Sequence, residues 1–311
     1  MAAAVVGEGP CASEACSWVV GRAITNPKDR GLYRHEGDHP VNDAEAQTLS
    51  RAVGALSAFS GYSISQRAVD SANTFLDMLR PDGSFFRLMS DPAFRNQVSG
   101  AAEQTLTQFV AVRRRTEKAA LVHFGNDAEA RVIAVFQHDF VHDGAYRTMW
   151  ELRNATEHGH SVTDMATVRS DLKADGTYQT RIMLNLERLC AAVRPNAATV
   201  LRQRWGPIQE ADLIGQVRLS IEGLKTLMAR VYLTLEPELL AAADKVTEHI
   251  HNIVQLEGEP ILYRLSRDGT GAHTVNRVDL SVVDLRAIHI ALDASRDRLA
   301  PPRVGTDGVL Y

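Results

Sequence analysis

Arg153, Asn154 and His158 stand close together in the stretch Trp-Glu-Leu-Arg-Asn-Ala-Thr-Glu-His-Gly-His that fills positions 150–160. A guanidinium fork holds a phosphate through two parallel hydrogen bonds and neutralises charge developing on it. An imidazole titrates near neutral pH and can take or give a proton. This combination suits phosphodiester cleavage and needs no metal. Spacing complicates it. On one regular helix Asn154 and His158 share a face, whereas Arg153 sits above Glu157. Either the long arginine reaches round, or the helix ends early, or a second copy of the chain supplies the missing half, and the third arrangement is the expectation here. The plain reading of Arg153 is an i,i+4 ion pair with Glu157, worth only a few tenths of a kcal/mol. Gly159 marks a helix C-terminus, which places His158 in the last turn, where unpaired carbonyls favour a protonated ring.

The wording Leu-Arg-Asn-x-x-x-His-Gly resembles the signature of the HEPN superfamily, in which a polar residue directly follows an arginine and a histidine lies a turn beyond. The match directly covers about a tenth of the chain. The resemblance implies a helical bundle of HEPN type that dimerises so that two motifs face one another in a shared cleft. It also implies a metal-independent endoribonuclease, of the kind often found among toxins and antiviral effectors. On that resemblance Arg153, Asn154 and His158 are the catalytic residues, RNA is the substrate and no cofactor is required. A second copy of the chain is the partner, with an antitoxin or regulatory protein as a further one. His158 would move the proton of a ribose 2′-hydroxyl, Arg153 would stabilise the charged transition state, and Asn154 would orient phosphate or histidine. The alternative is a non-catalytic HEPN-like module that binds RNA, nucleotide or a partner protein in the same groove.

Metal chemistry competes at His138-Asp139-Phe140-Val141-His142, where His138 and His142 stand at i and i+4, a geometry that zinc accepts. Asp139 occupies the position where a metalloprotease would need a glutamate as base. With Asp143, His158 and His160 these histidines can still be assembled into a hydrolytic metal site. The preferred expectation is simpler: His142, Asp143 and His160 support the Arg153 group as hydrogen-bonding neighbours, and no metal is bound. The densest basic run, Arg113, Arg114, Arg115 and Lys118, is the candidate RNA-binding surface. Arg202 and Arg204 beside Trp205 make a smaller one. For both, the bland reading is a solvated helix end. His249 and His251 in Glu-His-Ile-His read as surface or interface residues, and Gly269-Thr270-Gly271 lacks the lysine and the strand-to-helix setting of a nucleotide loop.

A net charge of −4 speaks against a protein that coats nucleic acid through many phosphate contacts, and leaves room for a local basic cleft. With 45% hydrophobic and 23% charged residues the 311-residue chain can bury a sizeable core, and its apolar runs fall short of the roughly 20 residues that a membrane span needs. Cys11, Cys16 and Cys190 form no metal spacing and suit a reducing compartment. The first twenty residues lack a basic start followed by an apolar block, so a cytoplasmic protein without membrane partners is expected.

The elements expected to hold these groups are mainly helical, with one or two small β-hairpins. Residues 1–41 mix Gly, Pro and charges without periodicity and read as a flexible N-terminal segment. Residues 42–165 read as the HEPN-like domain. Asn42 or Asp43 caps a first helix, Ser65 to Leu79 forms a second, and Asp91-Pro92 opens a third running to about Val110. From Asn126 a fourth runs to the motif, with a kink at Gly144. Residues 166–311 read as a helical region with hairpins and no assigned role, either part of the same domain or a second unit. There the period changes to two on either side of Asp175-Gly176 and again near Asp268-Gly269. Between them Val217, Ile221, Leu224, Met228, Val231 and Leu235 form a core stripe. A final helix is expected after a cap at Ser281.

Overall fold

A computed structural model describes residues 18–26, 29–60, 64–79, 87–88, 90–142, 144–172, 174, 178–251, 257–267, 273–280 and 285–300. Its architecture is mainly α-helical with small antiparallel sheets, as the periodicity predicts. No helix among the described residues is long and apolar enough to cross a membrane.

The chain divides into two compact units that interleave along the sequence. One comprises Met1–Ser60, Val122–Phe124 and Leu235–Ala291; the other comprises Gly61–Leu121, Gly125–Thr234 and Leu292–Tyr311. These units follow other bounds than the expected division into 1–41, 42–165 and 166–311. The physical reason lies in strand pairing. β1 (Trp18–Asn26) and β2 (Asp29–Val41) form an antiparallel hairpin, and β1 bonds on its other edge to β6 (Glu259–Arg267), which pairs with β7 (His273–Asp279). The sheet order is therefore β2-β1-β6-β7, and it ties the two ends of the chain together. An expected flexible segment is thus strand over 18–26 and 29–41. Its period-two signal is weak because β1 and β6 bury residues on both faces, Val19, Ala23, Ile261 and Tyr263 on one and Val20 with Leu262 on the other. A shift of register between Val20 and Gly21 further breaks the pattern. Residues 1–17 lie outside the described residues.

The helices of this first unit follow their apolar stripes. In α1 (Asp43–Phe59) the side chain of Asn42 accepts from the Glu45 N–H at 2.9 Å, and Leu49, Val53, Leu56 and Phe59 are buried. It packs on α10 (Glu236–Ile250), which buries Leu239, Ala243, Val246 and Ile250. Phe59 stacks on Phe124 at 5.9 Å.

The second unit is assembled around α9 (Leu213–Thr234), which contacts α2 (Gln66–Met78), α4 (Asn126–His142), α5 (Gly144–Glu157), the strand β4 (Tyr178–Asn185) and the short β5 (Glu210–Asp212). The stripe Val217, Ile221, Leu224, Met228 and Val231 is buried as expected. β4 pairs with β3 (Ala166–Leu172), confirming the first expected hairpin, and adds β5 as a third strand. α6 (Val162–Met165), α7 (Leu186–Ala192) and α8 (Pro195–Trp205) complete this unit's inner elements, and α11 (Leu285–Leu299) closes the described chain. The Ser281 cap lies outside the described residues.

α3 (Pro92–Phe124) starts where expected: Asp91 Oδ1 accepts from the N–H groups of Ala93 and Phe94 at 3.0 and 3.1 Å. It then runs well past the expected end at Val110. Nothing between Val110 and Gly125 breaks a helix, and an i,i+4 pair joins Arg113 to Glu117 at 2.7 Å. Gly125, at φ +91°, stops it. The arginine run is consequently the body of a long helix and not its end.

Candidate functional site

α5 presents the motif from a well-anchored base. Tyr146, Met149, Leu152 and Ala155 are buried, and the Trp205 indole N–H donates to the hydroxyl of buried Thr148 at 3.2 Å, fastening α8 to α5. The helix ends at Glu157, as the glycine predicts. Gly159 has φ +89°, and the Ala155 carbonyl accepts from the backbone N–H groups of His158 and His160 at 3.1 and 3.2 Å. His158 and His160 therefore emerge beyond the last turn, both exposed.

The three motif side chains take separate partners. Arg153 Nη1 is ion-paired with Glu157, so the plain i,i+4 reading is realised. Asn154 donates its amide to Glu151 Oε2 at 3.0 Å, and the other oxygen of Glu151 lies 2.7 Å from Arg147 Nε. Glu151 is only 4% exposed, so its charge is held between a guanidinium and an amide. Sequence reasoning missed this carboxylate. Its signal was present in the spacing, since Glu151 stands four residues after Arg147 and three before Asn154. Within one chain the structure does not join Arg153, Asn154 and His158 to one another, in keeping with the geometric difficulty seen in the sequence.

What the fold does bring together is the motif and the arginine run, which are far apart in sequence. Desolvation lowers the pKa of Arg153, and the charge of Arg114 on α3 lowers it further. Arg113 Cζ lies 5.8 Å from the centroid of the Trp150 ring. Arg114 and Lys118 are exposed on the same face of α3, while Arg115 turns away and donates to Gln108 at 3.0 Å. Two like-charged guanidinium groups within electrostatic reach create a field that an anion relieves. Below them Arg147 Cζ stacks at 3.8 Å over Phe140, whose ring meets Trp150 edge-on at 5.5 Å.

The residues weighed for a metal are arranged otherwise. Among the described residues no group of three or more His, Cys, Asp or Glu side chains is placed to hold a metal ion. His138 Nδ1 lies 3.2 Å from Arg230 Nη1, a cationic neighbour that disfavours a second cation. The side chains of His142 and Asp143 lie outside the described residues. Of the smaller basic group, Arg202 pairs with Glu187 at 3.0 Å. His249, expected at a surface or an interface, is buried beside His39. The chain matches no known family model, and comparison with curated proteins and with solved structures also returns no match.

Proposed function

We propose that this protein is an endoribonuclease of HEPN type that cleaves RNA without a metal, through attack of a ribose 2′-hydroxyl on its neighbouring phosphate. The observation that carries the reading is the approach of the arginine run to α5: Arg113 stands 5.8 Å over Trp150, one turn before Arg153, and the charge of Arg114 reaches Arg153 on the helix whose end exposes His158. Arg153 and Arg114 bind the scissile phosphate, His158 moves the proton, and Asn154, held by Glu151, borders the phosphate. A second copy of the chain completes the site, because one α5 does not aim all three motif groups at one bond. Such an enzyme acts in the cytoplasm as a toxin or defence effector and is restrained by an antitoxin or regulatory protein.

The test is cleavage of a labelled RNA in the presence of chelator, with product ends identified. The expected products carry a 2′,3′-cyclic phosphate and a 5′-hydroxyl, and His158→Ala or Arg153→Ala lowers the rate by about 10²-fold or more with the fold intact. Cleavage that requires a divalent metal, or that survives both substitutions, overturns the reading. A second reading is favoured by the internal pairing of Arg153 with Glu157 and of Asn154 with Glu151: a module that binds RNA through the same face without cutting it. RNA binding with no cleavage at any pH would select it.

A further inference from the structure

Trp150 stands one turn before Arg153 and Asn154 on the same face of α5, and the cationic and aromatic groups around it alternate. Arg147 covers Phe140 in direct contact at 3.8 Å, Phe140 meets the Trp150 ring edge-on, and Arg113 stands over the ring at 5.8 Å. The two guanidinium positions differ in what they permit. Arg147 and Phe140 are already at contact distance and leave no gap. A flat base held between Trp150 and Arg113 needs about 3.5 Å on either side, roughly 7 Å in all, so the existing separation falls short by about 1 Å. Arg113 is a long side chain anchored by one nitrogen, Nε, on Glu117 at 2.7 Å, and a movement of that size lies within its rotamer freedom. The ring itself is half-buried, rigid and sequence-neutral as a stacking surface.

We infer that Trp150 is a stacking shelf for an unpaired base, with Arg113 as its cover, and that it selects single-stranded over fully paired RNA at the motif. The inference rests on the RNA reading above and specifies which part of the substrate the site grips. A base inside a duplex is stacked on both faces and cannot use the shelf, whereas an unpaired base gains one aromatic face and one guanidinium face. The stacked base sits next to the phosphate held by Arg153 and Arg114, so the shelf also fixes which bond is presented.

The test uses the full chain carrying His158→Ala, so that RNA is not consumed. A labelled single-stranded RNA, the same strand fully paired, and a series with one abasic position each are titrated by anisotropy. The single strand is expected to bind more tightly than the duplex, and one abasic position to weaken it about ten-fold. Trp150→Leu produces a loss of similar size, leaves duplex binding unchanged and abolishes sensitivity to the abasic position, while Trp150→Phe retains most of the affinity. Arg113→Gln, which leaves the ring in place, costs a smaller factor. Single-strand binding that is indifferent to both the abasic series and Trp150→Leu overturns the shelf while leaving RNA binding intact. A parent protein that binds neither RNA overturns the underlying reading instead. The abasic series stands even should the leucine variant misfold, because it removes the base and leaves the protein unchanged.

Discussion

The two compact units handle ionisable side chains in opposite ways. In the unit built from β1, β2, β6, β7, α1 and α10, three histidines are drawn towards the neutral form. Burial lowers His35, with the charge of Arg277 adding to it; burial alone lowers His123; and burial, then Lys245 and His39, lower His249 against the opposing charges of Glu248 and Glu45. His39 links this group to solvent, its Nδ1 2.8 Å from Asp38 and its Nε2 3.3 Å from His249 Nδ1. In the helical unit the basic groups Arg113, Arg114 and Arg153 lie on α3 and α5, and Glu151, the one buried carboxylate of that unit among the described residues, is met by Arg147 and Asn154. A guanidinium keeps its charge even when partly desolvated, so it can wait for an anion at a surface. An imidazole taken from water loses its proton instead, and becomes part of the packing. The contrast gathers cationic side chains in the helical unit and acid-sensitive histidines in the sheet unit.

The strongest way to sharpen that comparison is through backbone crowding. A Cβ at Gly21 would overlap the Glu36 carbonyl oxygen, a clash that only backbone movement in the sheet can relieve. Gly21→Ala is expected to destabilise the sheet unit by about 1–3 kcal/mol, read as a lower urea midpoint. The helical unit should keep its own transition, and if both units fall together the division into separately packed units is wrong.

Acidification should separate the units next. Each of the three histidines has a folded pKa below the ordinary 6.5, so the unfolded chain binds more protons as the pH falls beneath that value. Their contribution to stability is complete above about 6.5 and is progressively lost as the pH drops through the folded values. Melting followed at pH 7.5 and 5.5 is expected to show a loss in the sheet unit, reported by Trp18, that exceeds the loss in the unit containing Trp150 and Trp205. His249→Gln should diminish that difference; an unchanged difference would remove His249 from the explanation.

The smallest effect has the opposite sign. Gly100 lies within α3, and a Cβ there meets nothing within 4 Å. Gly100→Ala is expected to stabilise the helical unit by about 0.5–1 kcal/mol through the unfolded chain's lost freedom, seen as a modest rise in its midpoint and none in the sheet unit.

Much of the helical unit was legible in the sequence because its signals are local. Asp91-Pro92 announces the start of α3, Gly159 announces the end of α5, the stripe from Val217 to Val231 reports its own burial, and the motif residues Arg153 and Asn154 can be assigned to helix faces by spacing alone, whereas His158 falls just past the helix end. The end of α3 was less visible, since an unbroken run of helix formers carries no mark at Val110. The sheet was hidden for a different reason. Its inner strands bury residues on both faces, which blurs the alternation, and the partner of β1 lies more than two hundred positions away at β6, beyond the reach of any periodicity argument.

By itself, then, the order of residues determined most of the helices, their caps and turns, and the spacing of Arg153, Asn154 and His158, because hydrogen bonds and side-chain faces within a helix depend only on neighbours a few positions apart. Tertiary structure alone decided that Arg113 stands over Trp150, that the charge of Arg114 reaches Arg153, that Glu151 is buried against Arg147, and that His249 lies beside His39. Those juxtapositions follow from which apolar faces find one another when the chain collapses, and burial of one face is shared among many residues and written at no single position.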